Sequence, residues 1–519
     1  MAFETVSGYC WPQSIASDGT VAFHLSSAGG RDVHVEVARV GVQREVVWSD
    51  TVPAGDHPVP PRAYEVGCDW PAAATLTAGA DWRSGYYEVV LTIDVDGKQR
   101  RDHAFFVVRP AADSSNTILL QLATNTWHAY NDFGGRNLYT GATTVSLQRP
   151  MSRGYLFKPP GAGRRVTTTN PPDPDMNAHV GYLTQNHLSP YAGSAGWPDW
   201  ELPFVQWAER EGYAIDVCLN SDLEDHPELL DGKRLLLSVG HDEYWSGPMR
   251  DTTEAFAARG GNVVFFSGNT ALWQVRLEGR VDGGTATQMV GYKGQFKNDP
   301  VFDTDRISEL TSIWSDHLIG RPENHMTGVS FTRGGYHRIG KRVTNGAGGY
   351  TIHRHDHWIF DGTGIGYGDL LGASATVVGY ECDGCAFTYV DGLPYPTGED
   401  GTPASFTILG SAPVAHFTRT TAARPPKPNE PAEDEFLAGR LFGTRDEAAV
   451  QRISHGHAIL GAYTSAAGGT VITSGSTDWA HGLAGRDEQI EQITRNILTR
   501  LGSPSRLGRL YHFDPVVRR

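Results

Sequence analysis

Three short apolar runs limit what this chain can fold into more than any other feature. They read TILLQL at Thr117–Leu122, RLLLSVG at Arg234–Gly240 and NVVFFSG at Asn262–Gly268. Each is too short for a buried helix and too continuous for a strand with one wet face. Each therefore reads as a strand covered on both sides, as in a parallel sheet. Between the last two lies SGPMRDTTEAFAARGG, a helix starting near Ser246 with Pro248 in its first turn and Gly260-Gly261 as its stop. ELPFVQWAEREGYAIDVCL reads as helix, glycine, strand, and TVITSGSTDWAHGL near Thr470 as a strand with a polar end. GRDEQIEQITRNILTRLG follows as an amphipathic helix. Strand–helix–strand units predict a doubly wound parallel sheet whose ligands bind beyond the carboxyl ends of its strands.

From Tyr9 to about Pro110 the period is two instead: TVAFHLSS, VHVEVARV, YYEVVLTIDVDG and RDHAFFVVRP alternate apolar and polar residues, with a turn at Asp96-Gly97. That predicts an antiparallel, Ig-like β-sandwich. At 519 residues the chain is too long for one ordinary core. The expected division is a sandwich over 1–112 and an α/β domain over 113–519, the latter with a β-rich insertion at about 280–431. RPPKPNEPAEDE at Arg424–Glu435 reads as a proline-rich surface loop before the return to the sheet.

Composition narrows the partners. Charged residues make up 20% and the net charge is −15, which argues against nucleic acid and anionic membrane. No run approaches the ~18 apolar residues of a membrane span. The opening MAFETVSGYCWPQ lacks the basic and apolar regions of a signal peptide, so none is expected. Five cysteines are too few for a disulfide framework, so a reducing cytoplasm is the expected location. Cys382-Asp-Gly-Cys385 has the spacing of half a zinc site, with no second pair to complete it.

The strand ends carry the chemistry. The first delivers Thr126, Trp127, His128, Tyr130 and Asn131; the second His241, Asp242 and Glu243; the third Ser267, Gly268 and Asn269. Imidazole, carboxylate, carboxamide and phenol converging on one sheet edge make a candidate active site. The bland alternative is that these groups cap loops and the following helix. A glutamine-amidotransferase-like sheet would carry a cysteine at a sharp strand-to-helix turn, but the candidate turns are Gly240-His241 and Gly268-Asn269. Ser267 lacks the GxSxG frame, which argues against a covalent mechanism. HRHDH at His353, His355 and His357 offers a second metal reading if it forms a strand.

TWHAYNDFGGRNLY, LLSVGHDEYWSGPMRD, FFSGNTALWQVR, HWIFDGTGIGYGD, VVGYECDG and SGSTDWAHGL together resemble the C-terminal catalytic domain of the N,N-dimethylformamidase large subunit. The resemblance runs from about residue 116 to the end, and GCDWP…WRSGYY looks like the β domain before it. It departs from the family in lacking an extra N-terminal module and in the loop from Met151 to Trp197, which does not align. It implies hydrolysis of a small amide at a mononuclear ferric ion held by two tyrosines and one glutamate. The glutamate would be Glu243 and one tyrosine Tyr130; the second is Tyr155, with Tyr139 as the rival. It further implies His241 and Asn269 as polar groups around the metal, Glu381 as general base and Phe417 in the substrate pocket, with Trp127 beside it. All-oxygen anionic ligands suit Fe(III). A homo-oligomer or a small companion subunit is the implied assembly. Two other readings stay open: a non-catalytic binding protein on the same fold, and a glycan-acting protein using Glu243 and Glu381.

Overall fold

The structure, a computed structural model, describes residues 5–159, 162, 176–281, 283–339, 343–422 and 426–502. Part of the Met151–Trp197 loop, and Arg424 and Pro425 of the proline-rich segment, lie outside these. The chain is mixed α/β with several sheets.

Two antiparallel sheets fill the N-terminal region. One joins Val6–Trp11, Thr20–Ser27 and Ala72–Thr77; the other is built mainly on Val33–Val40, Arg44–Val52, Gly85–Val95 and Lys98–Val108. The alternation read from the sequence puts Val33, Val35 and Val37 inside, with Val89, Leu91 and Phe106 from other strands of the same sheet and Phe23 from the other sheet. Asp96 and Gly97 both take positive φ, the geometry of the tight hairpin turn the DG pair predicts.

The other faces of this region continue the neighbouring core. Tyr86 stacks on Trp197 with ring centroids 4.1 Å apart, and Phe105 packs on Trp127 at 5.4 Å. Arg39 pairs with Glu209 across the same boundary. The N-terminal sheets are thus packed against the α/β body by apolar contacts.

That body is organised on one large sheet. Its order is Ile215–Leu219, Ile118–Leu122, Leu235–His241, Asn262–Gly268, Thr470–Thr473, His455–Thr464, Thr407–Ala415, Ser330–His337 and Tyr380–Gly384. The first five strands are mutually parallel and every later pairing is antiparallel. Ile118–Leu122, Leu235–His241 and Asn262–Gly268 form the middle of the parallel part and are fully buried. Strand order reverses beside Ile118–Leu122: the chain passes from that strand to Ile215–Leu219 on one side and then to Leu235–His241 on the other.

The stretch at 280–431 is rich in strands, most of which join this sheet. Its strands Ser330–His337, Tyr350–Ile352, Tyr380–Gly384 and Thr407–Ala415 extend this same sheet. The far edge then curls back: Cys382 bridges Ser476, Thr477 N donates to Glu381 O at 3.1 Å, and Asp383 N donates to Gly475 O at 3.0 Å. An ideal Cβ on Gly268 would meet the Glu381 carbonyl at 2.4 Å, so only glycine permits this approach. Curling thereby brings the last strand of the sheet over the end of its fourth. Among the described residues, no helix is long and apolar enough to cross a membrane.

Candidate active site

Local hydrogen bonds fix the polar end of the Leu235–His241 strand. Gly240 takes φ +84, and a Cβ there would stand 2.5 Å from that of Trp200, so the strand can end against the indole only with glycine. Beyond it, Glu243 N donates to Thr126 Oγ1 at 2.9 Å, while Glu243 O accepts from Trp273 N at 2.9 Å. The short helix Thr124–Tyr130 and the strand Trp273–Glu278 thus hold one residue from both sides.

Four phenol and carboxylate groups meet at that point. The Tyr139 hydroxyl lies 2.6 Å from the Tyr130 hydroxyl, 2.9 Å from that of Tyr244, and 2.8 and 2.9 Å from the two oxygens of Glu243. Trp273 Nε1 donates to Glu243 Oε1 at 2.7 Å. Tyr139 is 41% exposed as a residue, yet it points this hydroxyl inward among buried groups. Lys293 Nζ donates to Tyr244 OH at 2.7 Å and lies 3.4 Å from the centre of the Tyr139 ring.

His241 links this group to Glu381. Its Nε2 is 2.6 Å from Glu381 Oε2 and 3.3 Å from Glu243 Oε2, and its Nδ1 donates to Ser194 O at 2.6 Å. Asn269 Nδ2 donates to the same Glu381 oxygen at 2.9 Å, while its buried Oδ1 has no protein partner. Asn269 holds φ +51 and Tyr380 φ +50, conformations that non-glycine residues adopt at a cost of order 1–3 kcal/mol and that cluster at functional sites. His241, Glu243 and Glu381 offer ligand atoms within 4.8 Å of one another.

The electrostatics follow from burial without bulk water. Burial, with the Glu243 charge second, pushes the Tyr130 and Tyr139 phenols well above their usual range. Burial acts to raise Glu243 too, but the adjoining imidazole and the Lys293 ammonium bring it below its ordinary value. Burial opposes charge on His241, and Glu381 and Glu243 outweigh it, so the imidazole is held well above its ordinary value. Burial brings the Lys293 ammonium down to about 8. Two phenols and a carboxylate within hydrogen-bond reach form an oxygen-only donor set, which suits a hard cation; such a cation would supply the positive charge that turns buried phenols into phenolates.

The structure brings together Tyr130, His241, Glu243, Asn269 and Glu381. Phe417 stands nearby, its ring 4.4 Å from that of Tyr336, which in turn lies 6.4 Å from Tyr380. Two residues expected at the site are elsewhere. Tyr155, placed with Glu243 on spacing, is fully buried beside Arg149 and Asp132, and the rival Tyr139 occupies the place beside Tyr130. Trp127, expected in the pocket, packs against Phe105, and its Nε1 donates to Glu201 Oε1 at 3.2 Å. The helix Thr124–Tyr130 turns successive side chains to different faces, so only part of its run reaches the site. His128 faces Gln13 and Asn131 bonds Pro150 O, both away from it. Ser267 bonds Ser238 and Thr270 behind the site.

His353, His355 and His357 follow the strand Tyr350–Ile352 instead of lying along one: His353 Nε2 meets Ser411 Oγ at 2.8 Å and His357 caps a short helix. Cys382 and Cys385 pack in different core clusters. Lys293, Trp273 and the role of Tyr244 escape sequence reading. Tyr244 stands inside the HDEYW run, but Lys293 and Trp273 carry no local signal.

A family model described as N,N-dimethylformamidase beta subunit-like, C-terminal, matches residues 34–493 and so includes most of the N-terminal sheets. A curated relative, the N,N-dimethylformamidase beta subunit of Alcaligenes sp, is 26% identical over 230 residues, 40% of this chain and 28% of that protein. The aligned stretch therefore spans under a third of the relative's length. A solved structure of a family 123 glycoside hydrolase from Clostridium perfringens, described as concerning glycolipid glycan hydrolysis, is 7% identical and covers 51% of this chain and 64% of that one. Its TM-score of 0.08 is too low to carry any argument.

Proposed function

The chain belongs to the N,N-dimethylformamidase beta subunit-like family, and from that premise we propose that it hydrolyses the C–N bond of a small, formamide-like amide. The observation that carries this reading is Glu381. Its Oε2 is held by His241 Nε2 at 2.6 Å and Asn269 Nδ2 at 2.9 Å, on the edge of the phenol and carboxylate cluster. A carboxylate fixed so, and apart from the phenols, suits general base and then general acid work.

Tyr130, Tyr139 and Glu243 would hold a ferric ion, with Tyr139 taking the place first given to Tyr155. Bound there, it supplies Lewis acidity toward an amide carbonyl and water. Glu381 takes a proton as the water oxygen bonds to the carbonyl carbon. The C–N bond then breaks, and Glu381 returns that proton to the departing nitrogen, leaving an acid and an amine. Asn269 orients Glu381, and its free Oδ1 can accept from the attacking water. His241, charged between two carboxylates, steadies the developing oxyanion. Lys293 adds a positive charge beside the Tyr139 ring.

Reversal of strand order beside Ile118–Leu122 supports a doubly wound reading of the parallel strands, and the two N-terminal sheets support a β-sandwich reading. The relative is named as a beta subunit. We infer assembly with a companion subunit or a second copy, which co-purification and sedimentation would measure. Iron-loaded protein, assayed for dimethylamine release from N,N-dimethylformamide, tests the function. Visible absorbance from tyrosinate-to-iron charge transfer, rising in step with bound iron, is expected. Absence of both turnover and absorbance at full iron occupancy would overturn the reading.

A further inference from the structure

The strand Tyr380–Gly384 sends two carboxyl groups, not one, to the turn that carries Asn269. Successive side chains of a strand alternate between its faces, so Glu381 and Asp383 leave on the same side. Glu381 Oε2 accepts from the Asn269 side chain at 2.9 Å. Asp383 Oδ2 accepts from the backbone of the next residue, Thr270 N, at 3.1 Å, and the Asn269 backbone N–H also bears on it. The proposed hydrolysis employs Glu381 and Asn269 and gives Asp383 no task. Yet Asp383 is a costly group to bury. It is 0% exposed, and the other ionisable groups that bear on it, Glu323 and Glu381, are acids. Burial raises its carboxyl to about 8, so at neutral pH it is mostly uncharged. An apolar side chain would avoid that cost but would leave the buried Thr270 N–H without this acceptor.

What this acceptor secures is a strained turn. Asn269 sits at φ +51 and Ala271 at φ +54, conformations that persist only where the surroundings enforce them. The chain is gripped on both sides of Asn269. Before it, Gly268 lies against the Glu381 backbone; after it, Ala271 N donates to Asp242 O at 2.8 Å. Thr270 Oγ1 meets Ser267 Oγ at 2.9 Å across the turn. The Thr270 N–H belongs to the peptide that follows Asn269. An acceptor for it therefore holds Asn269 in the left-handed conformation from which Nδ2 reaches Glu381.

We propose that Asp383 is a positioning residue for the reaction: its side-chain oxygen locks the Asn269 turn, so that Asn269 keeps Glu381 aimed at the reacting atoms. This inference rests on the proposed amide hydrolysis at Glu381. Two residues of one strand then act on one turn, Glu381 as the base and Asp383 as the clamp on the residue that orients it. The clamp requires an acceptor, not a charge.

The test measures kcat and KM for N,N-dimethylformamide on the full iron-loaded chain, with Asp383→Ala, Asp383→Asn and Asn269→Ala. Asp383→Ala should lower kcat on the order of 10²-fold, the usual cost of misplacing a reacting group by about 1 Å. KM should change little, as expected when the lost interaction matters only in the transition state. Asp383→Asn keeps an accepting oxygen of the same reach and should retain most of the turnover. In the Asn269→Ala background, Asp383→Ala should cost little more, because the clamp then has nothing to aim. Iron content and visible absorbance should match wild type throughout. Wild-type kcat in Asp383→Ala, equal loss in Asp383→Asn, or a full further loss on top of Asn269→Ala overturns the proposal. Should the alanine variant not fold, Asp383→Leu, of similar shape without an acceptor, takes its place; failure of both to fold would make Asp383 structural and overturn it likewise. Should wild type cleave no amide, hydrolysis fails on its own, and the clamp is read from crystal structures of wild type and Asp383→Ala. Asn269 leaving its left-handed conformation and its contact with Glu381 sustains the clamp; an unmoved Asn269 overturns it.

Discussion

The facing N-terminal sheets and the strand ends of the large sheet both bury residues almost completely, but they bury opposite kinds. Between the sheets lie Val35, Val37, Val89 and Phe106, apolar groups without a hydrogen bond to satisfy. At the strand ends lie His241, Asp242, Glu243 and Asn269, at most 3% exposed, with Glu381 equally hidden. The first region keeps ordinary backbone in its inward-facing strands; the second holds Asn269, Lys293 and Tyr380 at positive φ. Apolar burial favours folding at about 25 cal/mol per Å², whereas buried ionisable groups oppose it unless paired. The difference teaches a division of labour: one region contributes stability, and the other consumes part of it to keep charges close and dry.

The largest effect that would break this contrast belongs to Glu381. Glu381→Gln keeps the size and one acceptor but cannot take a proton, so turnover should fall on the order of 10²–10⁴-fold. Iron content and spectrum should survive. Normal turnover would remove Glu381 from the chemistry and make the second region merely structural. The reciprocal test lies in the first region. Phe106→Ala should cost about 3–5 kcal/mol of stability, read by denaturant unfolding, while turnover per folded molecule stays unchanged. A fall in turnover at full folding would show that the two regions are not separable.

A third comparison sharpens where the second region ends. Tyr139→Phe should remove much of the visible absorbance of the iron-loaded protein, and Tyr155→Phe should leave it intact. Equal loss in both would place the boundary elsewhere. The smallest effect concerns Asp383, whose carboxyl burial raises to about 8. The folded chain keeps that proton until about pH 8, while the unfolded chain releases it near pH 4. Between these values the folded state holds more protons, so stability declines as pH rises. Asp383→Asn should flatten that decline by roughly 2–4 °C in melting temperature, and an unaltered pH profile would contradict it.

Legibility in the sequence followed range along the chain. Alternation at Val33–Val40 and the continuous run at Leu235–His241 announce their strands because period and burial are local. His241, Glu243 and Asn269 stand out in the sequence for the same reason: each lies at or just beyond the end of a recognisable strand. Tyr139 and Tyr155 could not be separated, because both lie on loops and only tertiary distance distinguishes them. Trp273 and Lys293 gave no signal, being brought in by a small separate sheet and a left-handed turn. The pairing of the stretch at 280–431 is illegible for a related reason. Its short Gly-rich strands look detached, and antiparallel pairing with Thr407–Ala415 and His455–Thr464 joins them to the main sheet.

The curl that sets Glu381 over Gly268 has a consequence in time. Its backbone partners, Gly475, Ser476 and Thr477, are made long after every other group at the site. A ribosome that has released Glu243 and even Glu381 still holds the residues that pin the last strand in place. Domains generally fold as units when their last pairing becomes available. In the nascent chain the strand carrying Glu381 therefore lacks these backbone partners until synthesis passes Thr477, and Glu381 joins the group around Glu243 last.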